Sequence, residues 1–191
     1  MNQAEKRVFL IKRLLDEDRR YRGMEVPADD YEQKRMLRSL MNIRHPQAID
    51  AEFLTVQDEY LRQEIEAAGI TRLADLEPVC GDFYLWQGDI TRLECGAIVN
   101  AANSGMTGCY VPCHAYIDNC IHTFAGIQLR LKCAQLIIQF CFQTVFHKLG
   151  NGFLEQTLNI LHTDDVCHLQ QFTDFLPPGI FFWGTILSGH M

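Results

Sequence analysis

Apolar residues recur at helical spacing through the first part of the chain. Val8, Ile11, Leu14 and Leu15 form one stripe among Lys, Arg, Asp and Glu, Met36, Leu37, Leu40 and Met41 form a second, and Phe53, Leu54, Tyr60 and Leu61 belong to a third. Pro27 and Pro46 punctuate them. Residues 1–78 therefore read as a helical N-terminal extension. It shows no catalytic pattern, and its simplest role is to cover hydrophobic surface.

Further on the pattern changes. Ala97, Ile98 and Val99 are apolar and partly β-branched, follow Glu94-Cys95-Gly96, and run straight into Asn100-Ala101-Ala102-Asn103. This predicts a buried parallel strand that ends at a crevice, where ligands collect in open α/β sheets. An Asn amide at that place donates and accepts at once, which suits sugar hydroxyls. Asn-rich turns equally suit left-handed backbone angles. Gly105 and Gly108 follow, at positions where the chain can bend sharply, although the run matches neither common nucleotide fingerprint. Ile117, Ile121, Phe124 and Ala125 then predict a helix starting near Asp118 and Asn119. Free amides at such a start favour a diphosphate, and ordinary capping produces the same pattern.

Cys109, Cys113, His114, Cys120 and His122 lie within fourteen residues. Thiolate and imidazole are preferred zinc ligands, and a catalytic zinc site uses three protein ligands plus an open position. Cys109 and His114 suit two of them, with Pro112 stiffening the loop between. Cys and His are also common as buried, inert residues.

From Phe83 to Cys133 these residues resemble the macrodomain family, which binds ADP-ribose, and specifically its zinc-dependent bacterial branch of protein-ADP-ribose hydrolases. The resemblance rests on Gly88-Asp89-Ile90-Thr91, on Asn100-Ala101-Ala102-Asn103, and on Gly108-Cys109-Tyr110-Val111-Pro112-Cys113-His114 leading to Ile117-Asp118-Asn119. It implies an α/β fold, a macrodomain-like three-layer α/β/α sandwich, here incomplete and preceded by a helical cap, which resembles the lead-in of that branch and by that resemblance shapes the substrate face. It also implies that Asp89, with Ile90 beside it, contacts the adenine, that Asn103 faces the distal ribose as the catalytic-site residue, and that Ile117 and Asp118 contact the ligand at the helix start. Zn2+ is the implied cofactor. Cys109 and His114 match its first two ligands. The third position is Tyr116, whose hydroxyl, with a pKa of about 10, is a poor zinc ligand beside a thiol at about 8.5. Cys113 or Cys120 is close enough in sequence to stand in after local rearrangement.

Residues 79–136 thus correspond to the N-terminal half of a macrodomain. From residue 137 the chain changes character: only five of its 41 charged residues lie among these last 55 positions, with eight of its twelve phenylalanines. The second glycine-rich loop of Ser-Thr-Gly type that the family would place here is missing. This divergent apolar tail, 137–191, points to a frameshift or a truncation. His147, His162, His168, Cys141 and Cys167 show no familiar ligand spacing.

Composition narrows the partners. A net charge of -7 argues against generic nucleic-acid binding, because no basic patch is present to release counterions. No run has the form of a membrane span or a cleavable leader, so the eight cysteines read as reduced thiols or metal ligands, and the expected location is cytoplasmic. The function the resemblance implies is zinc-dependent removal of mono-ADP-ribose from modified proteins, by cleavage of its ester to acidic side chains. The alternatives are a non-catalytic ADP-ribose-binding module and an inactive remnant of the hydrolase.

Overall fold

The computed structural model describes residues 1–148, with side chains through Ile138. The expectations that rest on residues 149–191 lie outside the described residues.

Three helices open the chain: α1 (Gln3–Glu17), α2 (Asp30–Ile43) and α3 (Ala51–Ala68). Each starts on a side chain that satisfies amides of its first turn. Asn2 Oδ1 accepts from the Glu5 N–H at 2.9 Å while the Glu5 carboxylate accepts from the Asn2 N–H at 2.8 Å. Asp29 and Asp50 accept from the Glu32 and Phe53 amides at 2.9 and 3.0 Å. The apolar faces meet in one core of Leu10, Ile11, Leu14 and Leu15, Leu37, Leu40 and Met41, and Phe53, Val56, Tyr60 and Leu61. On α1 the buried face differs from the stripe expected through Val8, which is half-buried, while Leu10 is fully buried. The reason is that Lys6 and Arg7 also turn inward. Lys6 Nζ reaches Glu59 at 2.9 Å, and Arg7 pairs with Asp30 and donates to Gln33 Oε1 at 3.0 Å.

Beyond α3 come β1 (Thr71–Arg72), a 3-10 turn (Leu73–Asp75), β2 (Pro78–Cys80) and β3 (Phe83–Tyr84). A second 3-10 turn (Ile90–Arg92), β4 (Leu93–Glu94), α4 (Ile117–Phe124) and α5 (Ile127–Lys148) complete the described chain. β1 and β4 pair in parallel, Thr71 opposite Leu93, and β2 and β3 pair antiparallel, Pro78 opposite Tyr84. The result is a mixed helix and strand arrangement, an incomplete α/β fold with a helical cap. α5 runs without a break through residue 137.

The expected strand at Ala97–Val99 is absent. The segment has irregular backbone, with Val99 54% exposed. A central parallel strand needs neighbours on both sides to pair its amides and carbonyls, and neither two-stranded pair extends to it.

α4 passes into α5 through Gly126, at φ 85°. Gln57 of α3 binds the start of α5 there: its Oε1 accepts from the Ile127 N–H at 3.0 Å and its Nε2 donates to Gln128 Oε1 at 2.7 Å. A Cβ at Gly126 would fall 2.4 Å from Gln57 Nε2, so only glycine leaves room for this bond.

Candidate functional site

The candidate residues gather around the first turns of α4. Asp89 caps the Ile90–Arg92 turn, accepting on Oδ1 from the Thr91 N–H at 3.0 Å and from its hydroxyl at 2.7 Å. Ile90 is buried, and its turn packs against both α3 and α4. Asp89 lies close enough to Cys120 of α4 to act on its thiol. Burial pushes that thiol's pKa up, Arg38 opposes the shift, and Asp89 adds to it.

The Asn-rich turn is fastened to the same helix. Asn100 Nδ2 donates to Asp118 Oδ1 at 2.7 Å, and His122 Nε2 lies 3.5 Å from that oxygen. Burial holds the His122 imidazole below its ordinary pKa, with Asp118 opposing. Asn103 is occupied in its own loop. Its Oδ1 accepts from the Gly105 N–H at 2.9 Å and its Nδ2 donates to the Gly108 carbonyl at 3.3 Å. Gly108, at φ 71°, lets the backbone lie directly on α4 and α5: a Cβ there would meet His122 Cδ2 at 3.0 Å and Arg130 Nη2 at 3.1 Å.

Immediately after it, Cys109 Sγ and His114 Nδ1 stand 2.9 Å apart. Tyr116 is the N-cap of α4, exposed, and its ring centroid is 3.9 Å from that of His114. It supplies no capping side-chain bond, so the amides of Ile117 and Asp118 start α4 without a side-chain acceptor from the N-cap. The thiol and imidazole fit a thiophilic divalent ion as two of its ligands. Among the described residues, however, no three His, Cys, Asp or Glu side chains form a metal-holding group. Cys113 and Cys120 are not gathered with the Cys109–His114 pair in this arrangement. Both engage α2 instead: Cys113 Sγ is 3.1 Å from Ser39 Oγ, and Arg38 Nη2 donates to Cys120 Sγ at 3.4 Å.

Four residues near this loop carry no signal in the motif itself: Arg38, Ser39 and Asn42 on α2, and Arg130 on α5. Asn42 Oδ1 accepts from the Cys113 N–H at 2.9 Å, and its Nδ2 donates to Thr123 Oγ1 at 2.7 Å. Arg38 Nη2 donates to the His114 carbonyl at 3.0 Å. For Asn42 and Arg130 the one trace in the sequence is polarity at a buried helical position, as with Asn42 between Met41 and Ile43; Arg38 and Ser39 are half-buried and leave none. An apolar cavity lies to one side, lined by Leu73, Tyr84, Trp86, Leu93, Ile98 and, of the candidate residues, Ile90.

With this geometry in place, the relatives become informative. No family model matches the chain. It is 60% identical over 141 residues to a protein-ADP-ribose hydrolase of Treponema medium, a stretch covering 72% of this chain and 54% of that protein. A protein-ADP-ribose hydrolase of Staphylococcus aureus (strain COL) is 48% identical over 105 residues, covering 54% of this chain and 39% of its own length. A probable bifunctional ADP-ribose hydrolase/ADP-ribosyltransferase of Fusarium oxysporum f. sp. cubense is 55% identical over 53 residues, 27% of this chain and 9% of that protein. These matches support the chain's resemblance to the macrodomain-like protein-ADP-ribose hydrolases. It spans about half the length of the Treponema relative. Among the described residues no helix is long and apolar enough to cross a membrane.

Proposed function

We propose that this chain carries the ADP-ribose site of a zinc-dependent hydrolase that removes mono-ADP-ribose from modified proteins, cleaving the ester between the distal ribose and an acidic side chain. The observation that carries the reading is the Cys109 and His114 pair, set at 2.9 Å on a loop that leads into α4, in a chain so similar to proteins named for this activity. Asp89 receives the adenine, with Ile90 as the apolar wall beside it. The uncapped first turn of α4, at Ile117 and Asp118, takes the diphosphate on its amides. Asn103 orients the distal ribose once its amide turns from its present partners within the loop. Cys109 and His114 would hold the zinc ion, which when bound supplies orientation of the ribose and polarisation of a water or of the scissile oxygen.

The test uses the purified chain and a mono-ADP-ribosylated protein. Release of ADP-ribose that stops on chelation of zinc supports the hydrolase. A second reading, an ADP-ribose-binding module without turnover, is favoured by one observation: the described residues supply two metal donors, with Tyr116 at the third position. Saturable ADP-ribose binding by calorimetry without release would support it. Absence of both binding and release would overturn both readings.

A further inference from the structure

Cys113 stands between Cys109 and His114 on the loop and has φ 53°, a left-handed conformation that is unfavourable for a non-glycine residue. Something must hold it there. Its N–H is bound by Asn42 Oδ1 at 2.9 Å and its Sγ approaches Ser39 Oγ at 3.1 Å, both on α2 and more than seventy residues away in sequence. Asn42 is 1% exposed, and its other branch, Nδ2, donates to Thr123 of α4 at 2.7 Å. One buried amide thus ties α2, the Cys/His loop and α4 together.

Arg130 makes the complementary tie on the Cys109 side of the loop. The residue is 3% exposed, and Nη1 donates to the carbonyls of Asn42 at 2.6 Å and Arg44 at 2.9 Å, at the C-terminal end of α2. Carbonyls at that end of a helix have no partner within the helix and carry its negative pole, so they suit a buried cation. The other nitrogen, Nη2, donates to the Cys109 carbonyl at 3.4 Å, and the guanidinium lies over the Tyr110 ring, 4.7 Å from its centroid. A planar fork with five donors can make these contacts at once, and a lysine cannot.

From these contacts we infer that Asn42 and Arg130 are positioning residues, which hold Cys109 and His114 in register for a metal ion by clamping their loop to α2. The N-terminal helical cap is then part of the site, beyond its role of covering apolar surface. The inference rests on the reading of Cys109 and His114 as metal donors. Loss of such outer partners typically weakens metal binding by about 10–100-fold.

The experiment titrates Co2+ into the full chain and follows the thiolate-to-cobalt charge-transfer band, in the natural sequence and in a Tyr116→Cys background. Asn42→Ala and Arg130→Met are each expected to weaken cobalt binding by roughly tenfold or more, with the helical circular dichroism signal retained. Asn42→Asp keeps the acceptor for the Cys113 N–H and is expected to restore most of the affinity. Arg130→Met carries the test if Asn42→Ala loses its helical signal. A band of unchanged affinity in folded Asn42→Ala and Arg130→Met overturns the clamp while leaving the metal reading intact. No band in either background overturns the metal reading, and the clamp with it.

Discussion

Asn100 Nδ2 donates to Asp118 Oδ1 at 2.7 Å, a bond that crosses eighteen residues and pins the Asn-rich turn to the first turn of α4. With no strand formed at Ala97–Val99, this side-chain bond ties the turn to α4. A partly buried hydrogen bond to a carboxylate contributes about 1.5–3 kcal/mol. Asn100→Ala is therefore expected to weaken ADP-ribose binding by roughly tenfold, through disorder of the turn and not through a lost ligand contact. Calorimetry checks it, and an unchanged affinity would detach the turn from the site.

Tyr116 occupies a position whose side chain already touches the His114 ring, with 3.9 Å between ring centroids. A thiol placed there would be a third donor beside the thiol–imidazole pair. Tyr116→Cys is expected to raise bound zinc toward one ion per chain, with the natural chain well below that. Elemental analysis of both proteins, purified side by side, decides the matter. Full and equal occupancy would show that two protein donors suffice.

His122 gives the fold a pH dependence with a definite sign. Burial lowers its pKa in the folded state, with Asp118 partly opposing, so the folded chain binds its proton less readily than the unfolded chain, whose histidines titrate near about 6.5. The contribution of a neutral His122 is complete above the unfolded value and is lost as the pH falls from there through the lowered folded value. Melting temperature is expected to drop between neutral and mildly acidic pH, and His122→Gln to flatten that part of the curve. Parallel curves for the two proteins would sink the assignment.

Leu10 is fully buried where the periodicity of α1 pointed to Val8. Leu10→Ala is expected to cost about 2–5 kcal/mol and Val8→Ala distinctly less, because only the first leaves a cavity in closed packing. Urea denaturation of the two variants measures the difference. Equal losses would mean that α1 presents a different face from the one described.

Phe53 packs in the same core, at 0% exposure, with Asp50 capping its helix. That three-helix cap was legible from residue order, since each helix buries one stripe of apolar residues whose period repeats within a few positions. The same holds for α4, which starts at Ile117 as the spacing of Ile117, Ile121 and Phe124 required. A loop motif of closely spaced residues, such as Cys109 with His114, is readable for the same reason.

Tertiary structure alone decided the remainder. Strand formation at Ala97–Val99 depends on neighbours supplied from elsewhere, and an apolar triplet cannot state whether they are present. The grip of Asn42 and Arg130 on the Cys/His loop joins residues tens of positions apart, where no local period relates one to another. The partners of Cys113 and Cys120, on α2 and not at the Cys109–His114 pair, likewise follow from how α2 packs on α4, because a hydrogen bond depends on distance in space and the sequence orders residues only along the chain.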